Sequence, residues 1–165
     1  MAPPVNVFRD VPDIARIFVI PTDRPLSSTE QDTISLRLSE FFAGWHAHGR
    51  KVSARSTIVH NRFIVVSAYV PDDQVSGCGI DASDHALEDI SEVVGFSRAP
   101  VLDVFFELDG GVDNVSRPEF ARLAQQGSVS KRTIVFDTSL SNAAQWKKGL
   151  FARPVSESWH ARVFF

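Results

Sequence analysis

The chain holds one cysteine, one tyrosine and one methionine among 165 residues. A single thiol forms no internal disulfide, lacks the paired-cysteine spacing of a zinc or dithiol centre, and suits a reducing compartment. H-E-x-x-H is missing too, so no metal and no cofactor is expected. Without G-x-x-x-x-G-K-[ST] there is no phosphate cradle of a P-loop ATPase, and no G-x-G-x-x-G opens a helix after a strand. No segment approaches the roughly 20 apolar residues that span a bilayer. Met1-Ala2-Pro3-Pro4-Val5-Asn6 lacks the basic and apolar regions of a signal peptide. A cytoplasmic protein with no membrane partner is expected. Lysine and arginine never gather into a run and the net charge is −3, which argues against nucleic acid as a partner.

What is present is apolar bulk. A hydrophobic fraction of 44%, with thirteen Phe and three Trp, fills one packed domain, and the length is short for two. Residues 1–12 are proline-rich and read as an extended N-terminal arm. Residues 13–165 read as a single α+β domain, with 13–110 as its core and 111–165 as a C-terminal extension.

Ile14 to Ile20 is apolar on both alternating faces apart from Arg16, as in a central strand. Ser27 and Glu30 form a capping box, and Ile34, Leu38, Phe41, Phe42 and Trp45 follow at helical spacing, predicting a long helix closed by Gly49 with His46 and His48 in its last turn. Lys51 to His60 alternates with a mixed second face, an edge-strand pattern. Asn61-Arg62 is the expected tight turn into Phe63 to Val70, a second central strand. A second helix carries Leu87, Ile90, Val93 and Val94 inward and ends at Gly95. Val101 to Leu108 reads as another edge strand, and Asp109 to Asn114 as a polar connection.

Strand, helix, strand, strand, helix, strand is the ferredoxin-like βαββαβ order, an antiparallel sheet with its helices on one face. Its spatial order, 4-1-3-2, places the two most apolar strands inside. The uncovered face then needs a partner. A helix begun by Ser116 and Glu119, a short strand at Thr133 to Phe136, a helical turn holding Trp146 and the aromatic tail Ser158 to Phe165 supply an α/β extension to pack there. A homodimer interface is the alternative.

Ser76-Gly77-Cys78-Gly79-Ile80-Asp81-Ala82-Ser83 is the stretch where chemistry is most legible. The glycines permit close approach to the main chain, and Asp81 or Ser83 is expected to cap the helix that follows. Three readings follow. Cys78 is a small buried residue within a glycine turn. Alternatively Ser76, Gly77, Gly79, Asp81 and Ser83 hold a small anionic ligand or a protein partner against the helix start. In the third, Cys78 is a catalytic nucleophile with a histidine base, His48 being placed at the same end of the domain and His46, His85 and His160 being further candidates. The expected function is that of a binding or regulatory protein, the rivals being a thiol-dependent enzyme and a structural subunit of an assembly.

Asn61-Arg62-Phe63-Ile64-Val65, the Cys78 stretch, Thr133-Ile134-Val135-Phe136 and Ser158-Trp159-His160-Ala161-Arg162-Val163-Phe164 together resemble a family of small bacterial proteins often labelled "ABC transporter ATPase". The family pattern carries Ser where Gly79 stands. The resemblance implies no functional residues, and the ATPase label does not suit a chain lacking both a Walker A loop and an L-S-G-G-Q signature.

Overall fold

The computed structural model describes residues 7–71, 73 and 75–165. The proline-rich arm therefore lies outside the described residues up to position 6.

Strand β1 (Arg16–Pro21) leads to helix α1 (Ser28–Ala43), whose N-terminus is closed by the predicted capping box: Ser27 accepts from the Glu30 backbone N–H, and the Glu30 side chain accepts from that of Ser27. Arg24 also donates to Glu30 at 2.9 Å, and this charge-assisted bond is the main reason the Glu30 carboxyl is lowered to about 2. The helix ends at Gly44, earlier than its apolar spacing suggests. Trp45 and the two histidines leave it for a hairpin, β2 (His46–Ala47) and β3 (Arg50–Lys51), whose turn residues His48 and Gly49 have φ of 52° and 76°. A two-residue turn with positive φ at both positions matches the twist of paired strands.

Strand β4 (Ser53–Val59) turns through His60 and Asn61, both at positive φ, into β5 (Phe63–Tyr69). The turn sits one residue before the expected Asn61-Arg62, and Arg62 is buried. Strand β5 is central and antiparallel to both neighbours, in the order β1-β5-β4. Helix α2 (Gly77–Val94) follows.

The expected fourth strand departs from the ferredoxin-like arrangement. Strand β6 (Val104–Leu108) does not pair with β1; it folds directly back on β7 (Gly111–Val115) through Asp109 and Gly110, at φ 51° and 79°. The stretch read as a polar connection is thus a tight hairpin turn followed by a strand. After helix α3 (Arg117–Gln125), strand β8 (Ile134–Phe136) pairs with the other side of β6, and beyond helix α4 (Ala143–Lys147) strand β9 (Ala152–Pro154) completes a second antiparallel sheet in the order β7-β6-β8-β9. A short 3-10 turn at Val155–Glu157 and helix α5 (His160–Phe164) end the chain. The physical reason for the departure is that β6 is apolar on both faces. Phe105 points to one core while Val104 and Phe106 point to another, so this strand is an interior one.

Layering follows from strand alternation. Ile20, Ile64 and Val66 meet Ile34 and Leu38 of α1 and Leu87 and Ile90 of α2. On the opposite face Ile17, Phe63 and Val65 meet Phe105 and Phe136 of the second sheet and Phe151 just before β9. That sheet's far face, Val104, Phe106 and Val135, is covered by Phe120 of α3 and Phe164 of α5. The open face of the first sheet is therefore covered by a sheet built from β6, expected in the core, together with strands of the extension, giving helices, sheet, sheet and helices in succession. Each fully buried Phe in the middle layer contributes on the order of 1.5–3 kcal/mol.

Candidate functional site

The Cys78 stretch is not a loop before a helix; it is the helix's first turn. Ser76 is the N-cap, its hydroxyl accepting from the Gly79 N–H, and neither Asp81 nor Ser83 caps anything. Ser83 is buried and donates to the Ile80 carbonyl at 2.7 Å, while Asp81 is exposed. Gly77 and Cys78 are also exposed, which removes the reading of Cys78 as a buried residue.

The two glycines differ in what they do. A Cβ on Gly77 would meet nothing within 4 Å, whereas one on Gly79 would lie 2.5 Å from Cγ1 of Val75 and 3.0 Å from Cβ of Ala47. Gly79 also accepts a 3.1 Å hydrogen bond from the buried Trp45 indole. The helix start is therefore a packing joint against the β2–β3 hairpin, and Gly79 is small because the joint is tight. This hairpin carries His48 at its exposed turn. Among the described residues no hydrogen bond joins Cys78 to a histidine or a carboxylate, and no cluster of three or more His, Cys, Asp or Glu is placed to hold a metal.

His160 is drawn into a different constellation. It is buried, and its Nδ1 lies 2.9 Å from the Ser158 hydroxyl, with Asp137 and Arg153 nearby. Serine, histidine and aspartate invite comparison with a catalytic triad, but the bonding is that of a turn. Ser158 donates to the Val155 carbonyl at 3.1 Å and accepts from the His160 backbone N–H at 3.3 Å. In the tautomer with Nδ1 protonated, the hydroxyl proton goes to that carbonyl and Nδ1 donates to the serine, the reverse of a general base. Asp137 is held by the Arg153 guanidinium at 3.2 Å and by the Ser139 N–H at 3.0 Å. Burial is the main cause that lowers the His160 pKa to about 4, against the opposing pull of Asp137.

A better-formed site lies where the fourth strand of a ferredoxin-like sheet would have been. The outer edge of β1 is covered only at its ends. Ile17 donates to the Ser141 carbonyl at 3.1 Å beside an Arg16–Asn142 bridge, and Ala99 donates to the Pro21 carbonyl at 2.9 Å beside a Thr22–Arg98 bridge. Backbone groups of an antiparallel strand alternate in direction residue by residue, so Val19 also faces outward. Neither its N–H nor its C=O has a partner among the described residues, and neither does the Ile17 C=O. A groove of about 230 Å³ opens along this gap, walled by Leu38 and Phe42 of α1, Ser83 and Leu87 of α2, and Leu140. Ser83 is thus the residue through which the sequence-derived site and the groove coincide.

Asp84 and Arg98 line the groove and also a wide hollow of about 690 Å³ beside it, shared with Asp23, Glu88 and Glu92. Arg98 is paired with Asp84 at 3.5 Å, leaving the hollow acidic. The groove escaped sequence reasoning because a missing ladder partner is a property of pairing, and nothing in Phe18-Val19-Ile20 itself signals it.

No protein-family model matches the chain, and neither a curated protein nor a solved structure matches it. Among the described residues no helix is long and apolar enough to cross a membrane.

Proposed function

We propose that the chain is a binding or regulatory protein, not a thiol-dependent enzyme, and that its ligand enters the groove between the outer edge of β1 and the first half of α2. The observation that supports this reading is that the Ile17 C=O and the Val19 N–H and C=O, without a partner among the described residues, stand on the wall of a groove whose other lining is mainly apolar, with Ser83, Asp84, Arg98 and Thr138 as its polar members. Buried or half-buried backbone polar groups are nearly always paired, and a concave apolar site with a few convergent polar groups is the general form of a ligand pocket. The thiol enzyme finds less support, since among the described residues no hydrogen bond joins Cys78 to a base. The acidic hollow alongside the groove does not suit an anionic ligand.

A small-molecule fragment screen read by methyl NMR tests the proposal. Saturable shifts are expected at Leu38, Leu87 and Leu140. Hits confined to the Ser76–Gly79 turn would return the site to Cys78.

A second reading, a subunit of an assembly, is supported by the loop before β6, where Val101 is 85% and Leu102 63% exposed. Adjacent exposed apolar side chains of this kind favour contact with another protein. Sedimentation of the purified chain as a monomer at all concentrations would remove the homodimer form of that reading.

A further inference from the structure

We infer that the groove takes a planar, amino-substituted nitrogen heteroaromatic ring, recognised by the main chain of β1; this deepens the groove-binding reading and rests on it. Three outward groups stand in sequence along the strand: the Ile17 C=O, the Val19 N–H and the Val19 C=O, an acceptor, a donor and an acceptor. Their complement is a donor, an acceptor and a donor on one flat edge. An exocyclic amine, a ring nitrogen and a second amine present that pattern.

The dimensions select a ring over a peptide strand. The gap spans the positions facing Phe18, Val19 and Ile20, because Ser141 and Ala99 occupy the places opposite Ile17 and Pro21. Three strand positions make about 10 Å, closed at both ends. An added strand would collide with the chain on either side of so short a gap, whereas a ring fits it edge-on. The volume of about 230 Å³ is below that of a drug-sized pocket and is sufficient for one or two fused rings.

Walls and rim agree with the same chemistry. Leu38, Phe42, Leu87 and Leu140 offer apolar surface to the faces of a ring. Asp84 and Arg98 at the rim offset one another as an ion pair, so the excess charge is that of Asp23, Glu88 and Glu92 in the adjoining hollow, which favours an electron-poor, amine-bearing or protonated ring and opposes a phosphorylated one. The occupant is therefore a free base or a related uncharged or cationic heterocycle, not a nucleotide.

The test uses the full chain labelled with 15N and 13C and titrated with 2,4-diaminopyrimidine, with pyrimidine and toluene as controls. The expected result is a saturable downfield movement of the Val19 amide proton and a shift of the Ile17 carbonyl carbon with 2,4-diaminopyrimidine. Its dissociation constant should be roughly 1 mM or tighter for so small a probe, and pyrimidine, lacking both donors, should bind at least about tenfold more weakly, as expected when hydrogen bonds are lost. Val19→Pro removes the outward N–H, which an edge strand tolerates, but also the isopropyl group packed on the core. Measured against Val19→Ala, which keeps the N–H, it should weaken 2,4-diaminopyrimidine by a similar factor while keeping the far-ultraviolet spectrum. Equal binding of pyrimidine, or methyl shifts with toluene while Val19 stays still for every probe, would overturn the assignment of an amino-substituted heteroaromatic ring read by the main chain and leave the groove as a binding site. No shift in the groove with any probe would overturn both.

Discussion

The Arg62 guanidinium donates to Oδ1 of Asn114 at 2.7 Å, tying the start of the first sheet's central strand to an edge strand of the second. The same side chain donates to the Val112 carbonyl at 3.0 Å and twice to that of Thr22, and only 5% of Arg62 is exposed. Asn114 passes the chain of bonds to Asp103 at 2.7 Å. Burial pushes the guanidinium pKa down, opposed by Asp113 and Asp23, yet an arginine stays charged. Arg62 is therefore a buried cation held by carbonyl and amide oxygens across the interface of the two sheets.

Hydrogen bonds to a charged group contribute about 1.5–3 kcal/mol each, and orphaned acceptors add to the loss. Arg62→Met is expected to cost about 3 kcal/mol in urea unfolding and Asn114→Ala about 1–2 kcal/mol. A double-mutant cycle should give a coupling near 1 kcal/mol or more. Simple additivity of the two would show that the sheets are not joined through this pair.

Gly79 and Gly77 make opposite predictions within a single turn of α2. Gly79→Ala forces a Cβ against Val75 and Ala47, and overpacking of this kind costs about 1–3 kcal/mol. Gly77→Ala meets open space and should gain about 0.5 kcal/mol from helix propensity and a stiffer unfolded chain. Comparing the two urea midpoints checks the assignment; equal effects would mean that the hairpin does not press on Gly79.

His160 predicts a loss of stability in mild acid. Its folded pKa of about 4 lies below the unfolded value near 6.5. The unfolded chain therefore binds the proton first, and stability present above about pH 6.5 declines as the pH falls toward 4. By pH 5 the loss should reach about 2 kcal/mol from this group alone. Unfolding curves at pH 7 and pH 5 measure it, and His160→Gln should flatten the difference. A slope unchanged by that substitution would assign the acid sensitivity to the carboxylates.

Cys78 is exposed in the first turn of α2, so iodoacetamide should label it in the folded protein without denaturant. Because the side chain fills no core, the alkylated protein should melt within about 2 °C of the unmodified one, as for a change away from packed groups. Labelling only after unfolding would contradict the exposed position. A rate that plateaus below pH 7 would revive the thiol enzyme.

Local rules wrote much of this fold into the sequence. The Ser27–Glu30 capping box, the apolar strands at Arg16–Pro21 and Phe63–Tyr69, and the α2 stop at Gly95 all rest on neighbours a few residues apart. The Asp109-Gly110 pair carries a hairpin signal, but with the polar stretch Gly111 to Asn114 after it the segment reads as a connection, and only the pairing of β6 with β7 shows the turn. Even the need for a cover on the first sheet follows from apolarity on both faces of its strands.

Which strand pairs with which edge was decided only by the tertiary structure. β6 satisfies its ladder between β7 and β8 because both its faces find cores there, and this leaves the middle of β1's outer edge, opposite β5, without a partner among the described residues. Likewise the burial of Arg62 and His160, and the exposure of Cys78, depend on the meeting of surfaces far apart in the chain. A residue type fixes what a side chain or an amide is able to bond. Long-range packing fixes which of those bonds are made, and the outward groups of Ile17 and Val19 are the ones it left open.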